Sequence, residues 1–139
     1  MKTVISFLTF AMAAVLAFSC NFDEHPEPSE STERWVLAGY QKAGETKSSY
    51  NSVRDSAYVY TLSSDGTFRK SIGKQGFIGT YEERFEDGLR KFIFQYETAA
   101  DNEIHGCSSD QEIYFLNSQG QLTGTWDSCN GDKLYFDKE

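Results

Sequence analysis

Asp101, Glu103, His105, Gly106 and Glu112 fall at places one, three, five, six and twelve of one window of the chain. Carboxylates at one, three and twelve with glycine at six match the spacing of a calcium-binding loop, where oxygen ligands alternate around a tight turn. Three features argue for a plainer reading. His105 puts a nitrogen where an oxygen ligand belongs, Ser108 stands where an apolar residue is usual, and the flanks read as strands. An acidic loop at the rim of a β-structure explains the segment better, and no metal ligand is assigned. His105 is also the one histidine outside the N-terminal region, the other being His25. A Ser-His-Asp arrangement would have to use it, but any serine would serve equally as its partner. Gly44-Glu45-Thr46-Lys47-Ser48 contains a lysine and a serine without the glycine spacing of a phosphate-binding loop. The 21 carboxylates are too many to single out a catalytic pair and are read as solvated surface. The residues therefore predict no catalysis, no cofactor and no metal.

The composition narrows the partners. A net charge of −8 on 139 residues argues against nucleic acid and against electrostatic binding to an anionic membrane. With 39% hydrophobic and 15% aromatic residues the chain can bury a core. Met1-Lys2, the apolar run Val4 to Phe18 and the small Ser19 have the form of a secretory leader. The run is too short to cross a bilayer, which takes about 20 apolar residues. Leu16-Ala17-Phe18-Ser19-Cys20 resembles a bacterial lipobox, in which the cysteine becomes the first mature residue and carries the lipid. That resemblance implies a leader over residues 1–19, lipid attachment at Cys20, and a place at the outer membrane of a bacterial envelope, on its periplasmic face or on the cell surface. Residues 20–33 hold both prolines, Pro26 and Pro28, and five acids, so they are read as an extended tether. Asp23 and Glu24, just after the cysteine, resemble the surface-export signals of some Bacteroidetes lipoproteins.

Two cysteines remain beyond the lipobox. In an exported chain Cys107 and Cys129 are most simply a disulfide. A hairpin turning near Ser118 and Gln119 opposes residues whose numbers sum to about 237, and the two cysteines fall within one of that register. Opposed residues lie within disulfide reach.

Residues 34–139 lack proline and consist of short extended runs between turns. Trp35 to Leu37, Ala57 to Leu62, Thr67 to Lys70, Phe77 to Glu82, Leu89 to Tyr96, Ile113 to Leu116, Leu122 to Trp126 and Leu134 to Phe136 are the predicted strands. Ser64-Asp65-Gly66, Glu86-Asp87-Gly88 and Asn130-Gly131 are turn signals. The polar stretch Gln41 to Asp55 has room for a short helix. Regular short strands predict an all-β domain, either an eight-stranded antiparallel up-and-down barrel or a β-sandwich. Gly79 and Gly124 lie mid-strand between bulky residues, as a strongly curved sheet requires, and they favour the barrel. Alternation puts Phe92, Phe94 and Tyr96 on one face, Phe77 and Tyr81 on another, and Trp126 with Leu122 on a third.

Trp35-Val36-Leu37, the run Tyr60 to Phe68, Gly79-Thr80-Tyr81 and Leu134-Tyr135-Phe136 together resemble the small lipocalin-like lipoproteins of Bacteroidetes. The resemblance implies an up-and-down barrel and little about activity. An eight-stranded interior is either filled by side chains or holds one small ligand. The expectation is a non-enzymatic anchored barrel binding a small apolar or amphipathic ligand, lined by Phe77, Tyr81, Phe92, Phe94, Tyr96 and Trp126. The alternative is a filled barrel serving as a structural or protein-interaction module of the envelope.

Overall fold

A computed structural model describes residues 31–44, 49–98 and 103–139. The leader, Cys20, the tether, Asp101 and most of the would-be phosphate loop lie outside the described residues. Nine strands form one antiparallel sheet: β1 (Thr32–Gln41), β2 (Asn51–Ser52), β3 (Tyr58–Ser63), β4 (Thr67–Ile72), β5 (Gln75–Glu86), β6 (Leu89–Tyr96), β7 (Gln111–Leu116), β8 (Leu122–Gly124) and β9 (Lys133–Lys138). Each of β3 to β9 pairs with its neighbour in sequence, and β9 returns to pair with β1. The eight long-range strands thus close an up-and-down barrel, and the sandwich alternative is set aside. Closure leaves no edge along most of the wall. β2 is a two-residue addition to the far half of β1, where the chain was expected to have room for a helix. It docks through Tyr50, whose ring occupies the space that a Cβ at Gly39 would need.

The alternation expected from period two is what builds the core. Tyr58, Tyr60 and Leu62 of β3, Phe68 and Lys70 of β4, Phe92, Phe94 and Tyr96 of β6, Glu112 and Tyr114 of β7, Leu122 of β8, and Leu134 and Phe136 of β9 are all buried. Trp35 of β1 joins them, and its indole Nε1 is the one buried side-chain polar atom without a partner among the described residues. Gly79 sits where β5 bends closely over β6 and β4: a Cβ there would run into the Gln95 carbonyl and lie 2.7 Å from the Phe68 ring. The turns read from sequence form as expected, with Gly66 and Gly88 at positive φ (85° and 80°) and Asn130 at φ 71°.

Two corrections concern the last hairpin. β8 ends at Gly124, and Trp126 to Cys129 is a 3-10 turn rather than strand. The register of β7 with β8 sums to 238, as in Tyr114 with Gly124. Cys107 and Cys129 are nevertheless bonded, with Cα atoms 5.7 Å apart. They join a loop to the 3-10 turn, beyond the paired part of both strands.

Candidate functional site

The barrel has two unlike ends. At one end lie the start of β1, the β3–β4 turn, the β5–β6 hairpin and the β7–β8 turn. The other end receives the loop 103–110, the 3-10 turn and the disulfide between them. Every concentrated group of ionisable side chains in the interior lies toward this second end.

Lys70 and Glu112 face inward from β4 and β7 and are fully buried. Lys70 Nζ donates to Glu112 Oε1 at 2.7 Å and to the backbone carbonyl of Glu103. The hydroxyls of Tyr60 and Tyr96 donate to Glu112 Oε2, the latter at 2.6 Å, and the backbone N–H of His105 donates to Oε1. The carboxylate therefore accepts from four donors, close to its full capacity. Tyr60 and Tyr114 hydroxyls meet at 3.1 Å. Desolvation is the main reason why the phenols of Tyr58, Tyr60 and Tyr114 are pushed well above their usual range, the Glu112 charge adding to it. Tyr96 is raised for the same two reasons. All four stay protonated and can donate. Desolvation also lowers Lys70 from its usual value, opposed by Glu112.

His105 covers the cluster. Tyr58 Oη lies 2.6 Å from its Nδ1, and its ring stacks on Trp126 at 4.8 Å. Burial first, then the nearby Lys70 charge, lowers its pKa to about 4. The ring is thus neutral at pH 7. The Tyr58 hydroxyl and Nδ1 share one hydrogen bond, whose direction follows from the ring tautomer. Among the described residues the hydroxyl on the His105 ring is that of Tyr58, at Nδ1, and not that of a serine.

The sequence-predicted lining residues separate into three sets. Phe92, Phe94 and Tyr96 point inward and are buried in the core. Phe77 and Tyr81 are half-buried and pack against that core from β5, with the Tyr81 hydroxyl donating to the Ser63 carbonyl at 3.0 Å. Trp126 lies outside the strand set and contacts His105. The rings do not enclose an open lumen. Phe94 meets Tyr60 and Phe68 at centroid distances of 5.0 Å and Tyr114 at 5.7 Å, while Phe136 meets Tyr60 at 5.1 Å and Tyr114 at 5.6 Å. These are contact separations for aromatic pairs, so the middle of the barrel is filled.

The calcium-loop spacing, already disfavoured by the sequence, has its twelfth residue engaged elsewhere. Glu112, which such a loop needs as its bidentate ligand, is turned into the barrel and held by Lys70 and its other donors. Glu103 contributes a backbone oxygen to Lys70. Gly106 is needed for close approach instead: a Cβ there would strike the Gln111 carbonyl. Among the described residues no group of three acids, histidines or cysteines is gathered as for a metal.

Concavities occur on the outer wall. One, of about 560 Å³, runs past Leu89, Phe115 and Leu116 toward Thr125, Asp127 and Lys133. Another, of about 400 Å³, is lined by Tyr81, Arg84, Ile93 and Gln111 among others.

Sequence reasoning missed Lys70 and Glu112, although the signal was present. Lys70 is two places from Phe68, and Glu112 two from Tyr114, so period two puts each on the core face. No family model, curated protein or solved structure matches the chain.

Proposed function

We propose that this chain is a non-catalytic, lipid-anchored module of a bacterial cell envelope, held to the outer membrane through Cys20, that acts through its outer surface on protein partners. The observation carrying this reading is the filled interior. The rings of Tyr60, Phe68, Phe94, Tyr114 and Phe136 touch across the barrel, and the saturated Lys70–Glu112 cluster fills its second end. A ligand placed between Phe92, Phe94 and Tyr96 would have to displace close-packed side chains, and a filled core resists that. Glu112 and Lys70 are both fully engaged within the cluster. Its role is to fix the loop 103–110 over the barrel, so that the disulfide-tied end presents one defined surface.

A second reading retains a small ligand on the outside. The groove bordered by Leu89, Phe115 and Leu116 supports it, because its apolar wall and the Asp127–Lys133 pair (3.1 Å) suit an amphipathic molecule. Native mass spectrometry of the protein purified from membranes separates the two readings. A mass equal to the polypeptide plus its N-terminal lipid is expected. A stoichiometric additional compound lost in Phe94→Ala would restore an interior ligand site. One lost in Phe115→Ser alone would favour the outer groove.

A further inference from the structure

The β5–β6 hairpin runs on past its pairing with both neighbouring strands. β5 pairs with β4 only as far as Thr80 with Thr67, apart from the Tyr81 N–H donating to the Gly66 carbonyl at 2.8 Å. β6 pairs with β7 only from Lys91 onward. Glu82, Glu83 and Arg84 still face Ile93, Phe92 and Lys91, so residues 85–90 are the part that pairs with itself alone, and this tip runs on about 10 Å along the strand direction at roughly 3.4 Å per residue. Near the tip is Phe85, at 75% exposure the most exposed large hydrophobic among the described residues, followed along the hairpin by Leu89 at 48%.

The same end of the barrel is where the chain arrives from its N-terminus. Ser31 accepts a hydrogen bond from Ser64 N–H in the β3–β4 turn, and Tyr81, at the root of the hairpin, bonds Ser63 in that turn. Ten residues lie between Cys20 and Ser31, and the eleven steps reach at most about 40 Å. A lipid on Cys20 therefore tethers this end within that distance of the bilayer, and the hairpin tip lies at the same end.

The charges on the hairpin suit one kind of surface. Arg84 pairs with Glu82, Arg90 with Glu83 and Lys91 with Glu86. Cation and carboxylate alternate around Phe85 with little net charge. An acidic domain is repelled by anionic lipid, but such a tip matches zwitterionic headgroups, which carry one charge of each sign. An exposed aromatic at the end of a projection is suited to the interfacial layer.

We propose that the β5–β6 hairpin is a membrane foot: Phe85 enters the headgroup layer of a zwitterionic lipid surface, while the lipid on Cys20 holds the chain there. This rests on the reading of Cys20 as the anchor. Phe85 and Leu89 then orient the barrel, and the disulfide-tied end faces away from the membrane toward partners.

The test uses the full processed chain, purified from membranes and reconstituted into phosphatidylethanolamine–phosphatidylcholine vesicles with brominated or ordinary acyl chains. Phe85→Trp supplies a fluorophore at the tip, and Lys74→Trp one at the β4–β5 turn of the opposite end. The unsubstituted protein gives the background of Trp35 and Trp126. Phe85→Trp is expected to lose most of its added emission in brominated vesicles, and Lys74→Trp to keep its own. Equal emission from Phe85→Trp in both vesicle types, with the lipid on Cys20 verified by mass, overturns the foot and leaves the anchor intact. Absence of lipid on Cys20 overturns the anchor and the foot together. A photoreactive side chain at position 85 that attaches to a protein in cells, and not to phospholipid, assigns the tip to a protein partner and also overturns the proposal.

Discussion

Lys70→Met is the most informative perturbation of the interior. Methionine keeps the length and most of the volume of the lysine stem, so packing changes little. What changes is charge. Glu112 is left as a fully buried carboxylate without its cation, and the Glu103 carbonyl loses its donor. Breaking a buried pair from one side typically costs about 3–5 kcal/mol. The phenols of Tyr60 and Tyr96 and the His105 N–H still stabilise the carboxylate, which puts the expected loss near 3 kcal/mol. With a urea slope of about 1.5 kcal/mol per molar, the midpoint falls by about 2 M. Adding Glu112→Gln removes the orphaned charge and keeps one oxygen for the His105 N–H, with the amide NH2 turned to the Tyr60 and Tyr96 hydroxyls, which can accept. The double variant is therefore expected to regain at least about 1.5 kcal/mol over Lys70→Met. Urea unfolding with the disulfide intact, followed by tryptophan emission and circular dichroism, measures both. A loss under about 1 kcal/mol in Lys70→Met, or a double variant no more stable than the single, would refute the claim that these charges are buried and coupled.

Three further outcomes follow from the same end of the barrel and from its wall. The folded pKa of His105 lies below its ordinary value of 6.5, at about 4, so the unfolded chain takes up a proton first as pH falls. The contribution is complete above about pH 6.5 and is lost between about 6.5 and 4, by about 2 kcal/mol after allowance for partial exposure. Imidazole NMR titration checks it directly, with His25 as the comparison, and His105→Gln should flatten that part of the stability profile. Replacing both Cys107 and Cys129 by serine opens a 22-residue separation and should cost about 3 kcal/mol in thermal or urea unfolding. Gly79→Ala forces a methyl group against the Gln95 carbonyl and the Phe68 ring and should cost about 2 kcal/mol, visible as a lowered Tm, whereas Gly120→Ala at an exposed turn should cost less.

Much of the barrel was legible because period two and turn chemistry are local. Phe92, Phe94 and Tyr96 alternate without interruption, and Asp65-Gly66 and Asp87-Gly88 form turns that need positive φ. The disulfide was legible because a leader-like start and a shared hairpin restrict the pairing, although it joins a loop and a 3-10 turn rather than opposed strand residues. Trp126 misled because an apolar residue two places after Gly124 continues the strand pattern; Gly131 instead lets the chain turn back against the Trp126 ring. Lys70 and Glu112 were hidden by their type. A lysine and a glutamate in strand positions are usually solvent-facing, and only the meeting of Lys70 and Glu112 across the closed barrel makes both tolerable inside. The projection of the β5–β6 hairpin was not legible, because it depends on where β4 and β7 stop, which no residue of the hairpin encodes.

The central claim is that the barrel is filled and works from its outside. A crystal structure of the protein purified from its own membranes, without delipidation, tests that most directly. The account predicts that the space between Tyr60, Phe94, Tyr114 and Phe136 is occupied by those rings alone. Continuous density of a bound molecule among them, with the rings displaced toward the wall, would contradict it.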